Sequence, residues 1–348
     1  MKQGKTLTEL ATELERQKTE KRDFRAPTGA LSMASNGVSH IELGEIGKFE
    51  VQSTAHEQIA QRLEIPKKYY DRMRADAPQL LDQNVNHWFK TNNEKRLIRT
   101  LDGKARAFLS DKYRPLDNFD LAENALPILM KSGCEIASCE ITDSHMYIKA
   151  ITPELTFDVG VNDIVQAGIV LSNSEIGKGR LSIEPLLYRL ICLNGAIVND
   201  AAIRKNHVGR GDNTLDEIQE FYRDATRMQD DKAFWMKVRD SIEYAFSSIG
   251  FEKYAKQFAN AAEDKIEQDP FKVVELFQEK YTLSETEGKG ILSELIKSND
   301  MNRFGLINAV TAYAQTVDSY QRSTELERLG GEIIELPRSQ WEEISVAA

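Results

Sequence analysis

A chain of 348 residues with 41% hydrophobic and 29% charged content is long enough for two domains and has ordinary globular composition. Its net charge of −10 argues against a surface built throughout for nucleic acid, although charge distribution matters more than the sum. No run of about 18 apolar residues occurs, and the polar opening Met1-Lys2-Gln3-Gly4-Lys5 lacks a signal-peptide core, so the expected location is the cytoplasm of a cell, with no membrane partner.

Residues 1–50 read as an N-terminal arm and lead-in strand. Leu7, Leu10, Ala11 and Leu14 fall at helical spacing, and Ala26-Pro27-Thr28-Gly29 breaks the pattern. This is the pattern of a docking helix or a mobile arm. Residues 51–210 are expected to form an α+β core, an antiparallel β-rich unit with packed helices. Within it, Gln58 to Pro66 resembles a helix-turn-helix: Ala60 suits close helix crossing and Ile65 would plug the pair. Glu64 stands where such turns usually carry glycine, so the expectation is a short helical hairpin in the core. A further helix runs from Asp76 to Phe89.

The two β-rich runs of Lys95 to Ser110 flank Asp102-Gly103, a pair suited to a two-residue type I′ turn. In that register Arg99 faces Arg106, and one face carries Arg99, Lys104 and Arg106. Like charges directly opposite repel, so an acidic neighbour or a phosphate must offset them. Residues 90–114 carry eight Lys and Arg against three Asp and Glu, whereas residues 115–174 carry two against nine. A basic hairpin thus sits in an acidic protein.

Asn118 to Lys131 reads as a helix, followed by strands Glu135–Thr142, His145–Ile151 and Ala167–Ser172. Leu181 to Val198 is apolar and could be strand or buried helix, because periodicity alone does not decide. Residues 205–213 read as a charged, glycine-containing linker. The pattern of residues 211–348 is mostly helical, with Gly331 to Pro337 expected as a short closing strand.

Few residues offer chemistry. The five histidines are scattered, no zinc spacing, nucleophile elbow or C-x-x-C pair occurs, and no metal or cofactor is expected. Cys134, Cys139 and Cys192 cannot all pair and suggest buried thiols in a reducing compartment. Asp111, Asp117 and Asp120 fit turn and helix-start roles better than a metal site. Gly177-Lys178-Gly179-Arg180 could cradle a phosphate or form a solvated turn. The candidate nucleic-acid contacts are Arg96, Arg99, Lys104, Arg106, Lys112, Arg114, Lys178 and Arg180, with Tyr113, Tyr147 and Tyr188 available for stacking. Asn308, on an apolar helical stretch, is expected to be buried and hydrogen-bonded across to the core.

Ser110-Asp111-Lys112-Tyr113-Arg114-Pro115-Leu116-Asp117-Asn118 and Leu171-Ser172-Asn173-Ser174-Glu175-Ile176-Gly177 resemble a phage- and plasmid-like family known as domain of unknown function 932. Ile65 to Met73, Leu187 to Gly195 and Gly305 to Thr311 add to the resemblance, which spans roughly residues 50–330. It implies mobile-element origin and a bacterial host, and it brings no catalytic residues with it.

Three functions compete. The first is nucleic-acid binding in replication or recombination, similar to single-strand annealing proteins, with single-stranded DNA as partner and a homo-oligomer as the working form. The ββ-α-ββ order of residues 95–151 loosely resembles an annealing core, a fold analogy only. The second is a factor that binds a host protein and inhibits restriction or defence. The third is an unrecognised enzyme.

Overall fold

The computed structural model describes residues 1–160, 163–199 and 224–346. Two sheets and twelve helices among these residues make an α+β protein.

Helix α1 (Leu7–Glu20) starts at a capping box: the Thr6 hydroxyl accepts from the Glu9 N–H, and the Glu9 carboxylate accepts from the Thr6 N–H. It is docked, with Leu10 and Leu14 buried. Four strands follow, β1 (Arg22–Pro27), β2 (Leu31–Asn36), β3 (Val38–Leu43) and β4 (Gly47–Val51), where the sequence suggested only a lead-in strand. Helices α2 (Ser53–Arg62), α3 (Lys67–Asp76) and α4 (Pro78–Thr91) come next, then the hairpin β5 (Lys95–Leu101) and β6 (Lys104–Ser110).

These strands form a six-stranded sheet of order β1-β5-β6-β4-β3-β2. All its pairs are antiparallel except β4 with β6, which needs the long crossover supplied by the three helices. Ile98, Ala105 and Phe108 face those helices and pack with Ile59, Leu81, Val85 and Phe89. His56 is buried in the same layer, and its Nδ1 lies 2.8 Å from the Tyr70 hydroxyl.

Helix α5 (Asn118–Lys131) leads into the second sheet, an antiparallel meander of β7 (Glu135–Ile141), β8 (Met146–Gly160), β9 (Asp163–Asn173), β10 (Ser182–Arg189) and β11 (Asn194–Ile197). The ambiguous stretch 181–198 is therefore strand. The hairpins β5–β6 and β7–β8 lie in different sheets, so residues 95–151 do not build one ββ-α-ββ sheet.

Alternation divides the second sheet. Ile148, Ala150, Ile169 and Leu171 meet α1, α5 and α6 (Asp224–Ala245), while Lys149, Val170 and Leu186 turn to the other face. There Lys149 pairs with Glu327 of α11 (Tyr320–Glu335), both side chains wholly buried.

The remaining helices are α7 (Ser248–Asn260), α8 (Pro270–Lys280), α9 (Glu285–Ser298), α10 (Arg303–Tyr313) and α12 (Arg338–Ser345). They pack with α11 against Val165, Ala167, Leu187 and Ala196. The expected strand at 331–337 is instead the end of α11. A Cβ on Gly331 would stand 1.9 Å from the Ile197 carbonyl oxygen, so glycine lets this helix lie on β11. Asn308 is buried, but its amide donates to the Phe304 carbonyl of its own helix at 2.9 Å rather than across the core. Cys139 is buried, Cys134 half-buried and Cys192 exposed, so burial does not extend to all three free thiols. The expected 205–213 linker lies outside the described residues.

Candidate functional site

The β5–β6 turn forms as its sequence requires, with Asp102 and Gly103 both at positive φ, 53° and 72°. The register is not the expected one. It shifts at Arg99/Thr100, so Arg99 pairs with Ala107 and Arg106 is the extra residue of a bulge. The two arginines do not oppose each other.

Both are buried. Arg99 Nε donates to Asp23 Oδ1 at 3.1 Å, Nη1 to the Glu175 carbonyl at 2.8 Å, and Nη2 to Asp117 Oδ1 at 2.5 Å. Burial works against the Arg99 charge, but Asp117, Asp23 and Glu175 outweigh it and hold the guanidinium above its ordinary pKa. Burial likewise opposes ionisation of Asp117, yet Arg99 and Lys21 keep its carboxyl below the usual carboxylate range. Arg106 pairs with one oxygen of Glu175, and the other accepts from the Asn118 N–H at 2.7 Å. Glu175 thus caps α5 from a distant segment. The offset to the basic hairpin is acidic side chains from three separate segments, and Arg99 and Arg106 are not available to a phosphate.

The loop after β9 is held as firmly. Asn173 Nδ2 donates to the Leu116 carbonyl and to Asn118 Oδ1, at 3.0 and 2.9 Å. Gln58 of α2 donates to the Ile176 carbonyl at 2.8 Å while accepting from the Phe108 N–H at 2.7 Å. Segments 110–118 and 171–177 therefore meet on one face of the first sheet and fasten the two sheets together.

The other expected contacts are dispersed. Arg96 is largely covered and pairs with Glu94. Lys104 is half-exposed, 3.5 Å from Glu50. Lys112 is exposed and Arg114 half-buried. Lys178 pairs with Glu57 of α2 at the surface. Arg180 lines a separate cleft of about 420 Å³ beside Glu184, Arg328 and Glu332. Tyr113 and Tyr147 are packed rather than presented for stacking: the Tyr113 hydroxyl reaches the Ser174 carbonyl at 3.4 Å, and the Tyr147 ring lies against His145 and Tyr320.

A polar cleft of about 480 Å³ opens over the Arg106–Glu175 pair, between the β5–β6 turn, α1 and the β7–β8 turn. Lys5, Arg16 and Lys104 line it together with Glu13, Asp143 and His145. Two buried atoms of its lining, Arg106 Nε and Gln17 Oε1, have no hydrogen-bond partner. Burial keeps His145 below its ordinary pKa, so its ring is neutral near pH 7.

Helices α2 and α3 form the short helical hairpin that the sequence leads one to expect in the core. Helix α2 closes in a Schellman motif: the Ile65 N–H donates to the Ala60 carbonyl at 2.9 Å and the Glu64 N–H to the Gln61 carbonyl at 3.2 Å. Glu64 adopts φ 55°, the left-handed conformation that glycine would supply. Ile59, Ala60, Leu63, Ile65, Tyr70 and Met73 are all buried in one cluster. Their spacing is the sequence signal for the hairpin, and the glutamate that stands where such turns usually carry glycine is accommodated at positive φ.

The fold and this site define an α+β protein whose two sheets are fastened by buried arginine–carboxylate pairs, with a helical hairpin on the outside of the first sheet. The chain belongs to the DUF932 family: the model of this domain of unknown function matches residues 106–332. No curated protein and no solved structure matches the chain. Among the described residues no helix is long and apolar enough to cross a membrane.

Proposed function

We infer that this is a nucleic-acid-binding protein of a phage- or plasmid-like element, acting in the cytoplasm of a bacterial host in replication or recombination. The observation that carries the reading is the segregation of charge. Residues 22–116, the first sheet and its helices, hold 16 Lys and Arg against 12 Asp and Glu, in a chain whose totals are 45 and 55. Affinity for a phosphate backbone follows local positive charge, not the net charge of the chain. Lys112 and Lys178 are exposed and Lys104 is half-exposed, so a backbone could reach them, although Lys178 pairs with Glu57 and Lys104 lies near Glu50. The single-strand annealing version of this reading has lost two supports, since Arg99 and Arg106 are buried and the two hairpins lie in different sheets.

The test is a fluorescence-anisotropy titration of the full chain on labelled single-stranded and duplex DNA between about 50 and 200 mM salt. Affinity that falls linearly with salt on a log–log plot is expected, and light scattering of the same sample reads whether a homo-oligomer forms. Absence of salt-dependent binding to any DNA or RNA overturns the reading. The acidic remainder of the chain favours the second reading, docking onto a basic host protein, which then leads.

A further inference from the structure

We propose that α2 and α3 form a helix-turn-helix whose second helix enters the major groove of double-stranded DNA, a proposal that rests on the nucleic-acid reading and names the partner and the surface. Two helices joined by a short turn, with the second carrying the groove contacts, is the arrangement such modules require. Here residues 63–66 make the turn, and the Schellman closure of α2 with Glu64 in the left-handed region fixes it without glycine. Ile59, Leu63, Ile65, Tyr70 and Met73 point inward, fixing which side of α3 faces out. Helix α3 packs mainly on α2 and α4, not on the sheet.

The outward side is chemically suited to a duplex. With Tyr70 and Met73 on the buried side, residues 68, 72 and 75 lie opposite them at helical spacing. Lys68 and Arg72 therefore face directly away from the core, and the Arg72 side chain is 79% exposed, with Asp76 of the same helix 3.9 Å away. Lys67, Tyr69 and Arg74 flank them, also exposed, with Lys67 paired to Glu57 of α2 at 2.9 Å. Four of the ten residues of α3 are cationic and two are acidic. No side chain caps its N-terminus, where the Tyr69 and Tyr70 N–H groups both donate to the Pro66 carbonyl. The major groove admits one α-helix. A single strand, in contrast, is held by a groove with several stacking aromatics, whereas α3 exposes only Tyr69.

The full chain, its K68A/R72A variant and its K68R/R72K variant are titrated on a labelled random-sequence duplex of about 30 base pairs, roughly three helical turns, and on one of its strands. Wild type is expected to bind the duplex more tightly than the strand. K68A/R72A should lose roughly tenfold or more in duplex affinity, and its salt slope should drop by about two units. K68R/R72K should keep most of the affinity, and all three should melt together because the altered side chains are exposed. Duplex binding left unchanged by K68A/R72A overturns the helix proposal while the broader nucleic-acid reading stands. A wild type that binds single strands but not duplex does the same. A wild type that binds no nucleic acid overturns both.

Discussion

Removing the Glu175 carboxylate should weaken the protein more than the loss of one surface charge could. Glu175 is 4% exposed and Arg106 is 7% exposed. In Glu175→Ala, Arg106 keeps its charge in a buried setting, and its Nε already has no partner. Breaking a buried pair from one side typically costs about 3–5 kcal/mol, because the remaining charge is uncompensated. The Asn118 N–H at the start of α5 loses its acceptor as well, a cost on the order of 1–3 kcal/mol if nothing replaces it. Glu175→Gln keeps a carbonyl for that N–H and should fall between wild type and Glu175→Ala. Arg106→Met/Glu175→Met, which removes both charges, should be less destabilised than Glu175→Ala alone. The assay is urea unfolding of the series by circular dichroism at neutral pH. The reasoning is refuted if Glu175→Ala lies within about 0.5 kcal/mol of wild type, the range of an ordinary surface change, or if the double variant is the least stable.

The Lys149–Glu327 pair, wholly buried on the other face of the second sheet, should obey the same rule. Lys149→Met alone should cost about 3–5 kcal/mol, and Lys149→Met/Glu327→Met much less, read by thermal melts; equal losses would exclude an uncompensated charge as the cause. His56 gives a pH dependence: burial, and then Arg74, pushes its pKa down to about 4. The unfolded chain takes up a proton near pH 6.5 that the folded form refuses until about pH 4, so stability should fall as pH falls through that window, by up to about 3 kcal/mol. His56→Gln should flatten that acid limb in urea midpoints, and an unchanged limb would place its origin elsewhere. Glu64→Gly should stabilise by roughly 0.5–1 kcal/mol by relieving the positive φ; a lower melting temperature would mean that the Glu64 side chain contributes more than its backbone costs.

What the sequence determined by itself is local. The Asp102-Gly103 turn, the helix from Asn118 to Lys131 and the α+β order all follow from turn chemistry and periodicity within a few residues. What lay outside that reach depended on partners far along the chain. The Arg99–Arg106 register was misread because the bulge suits Glu175, 69 residues beyond Arg106. Gly331 to Pro337 was misread because Ile333-Ile334 suits a strand as well as a helix, and only the close seat of Gly331 on β11 decides. The α2–α3 hairpin was half legible: its apolar spacing shows in the sequence, but only the fold shows that Glu64 tolerates the glycine conformation and that Lys68 and Arg72 stay outside. The sequence names which residues carry charge. Whether each charge meets an internal carboxylate or solvent is decided by tertiary structure, because the low-dielectric interior selects for partners that the chain brings from elsewhere.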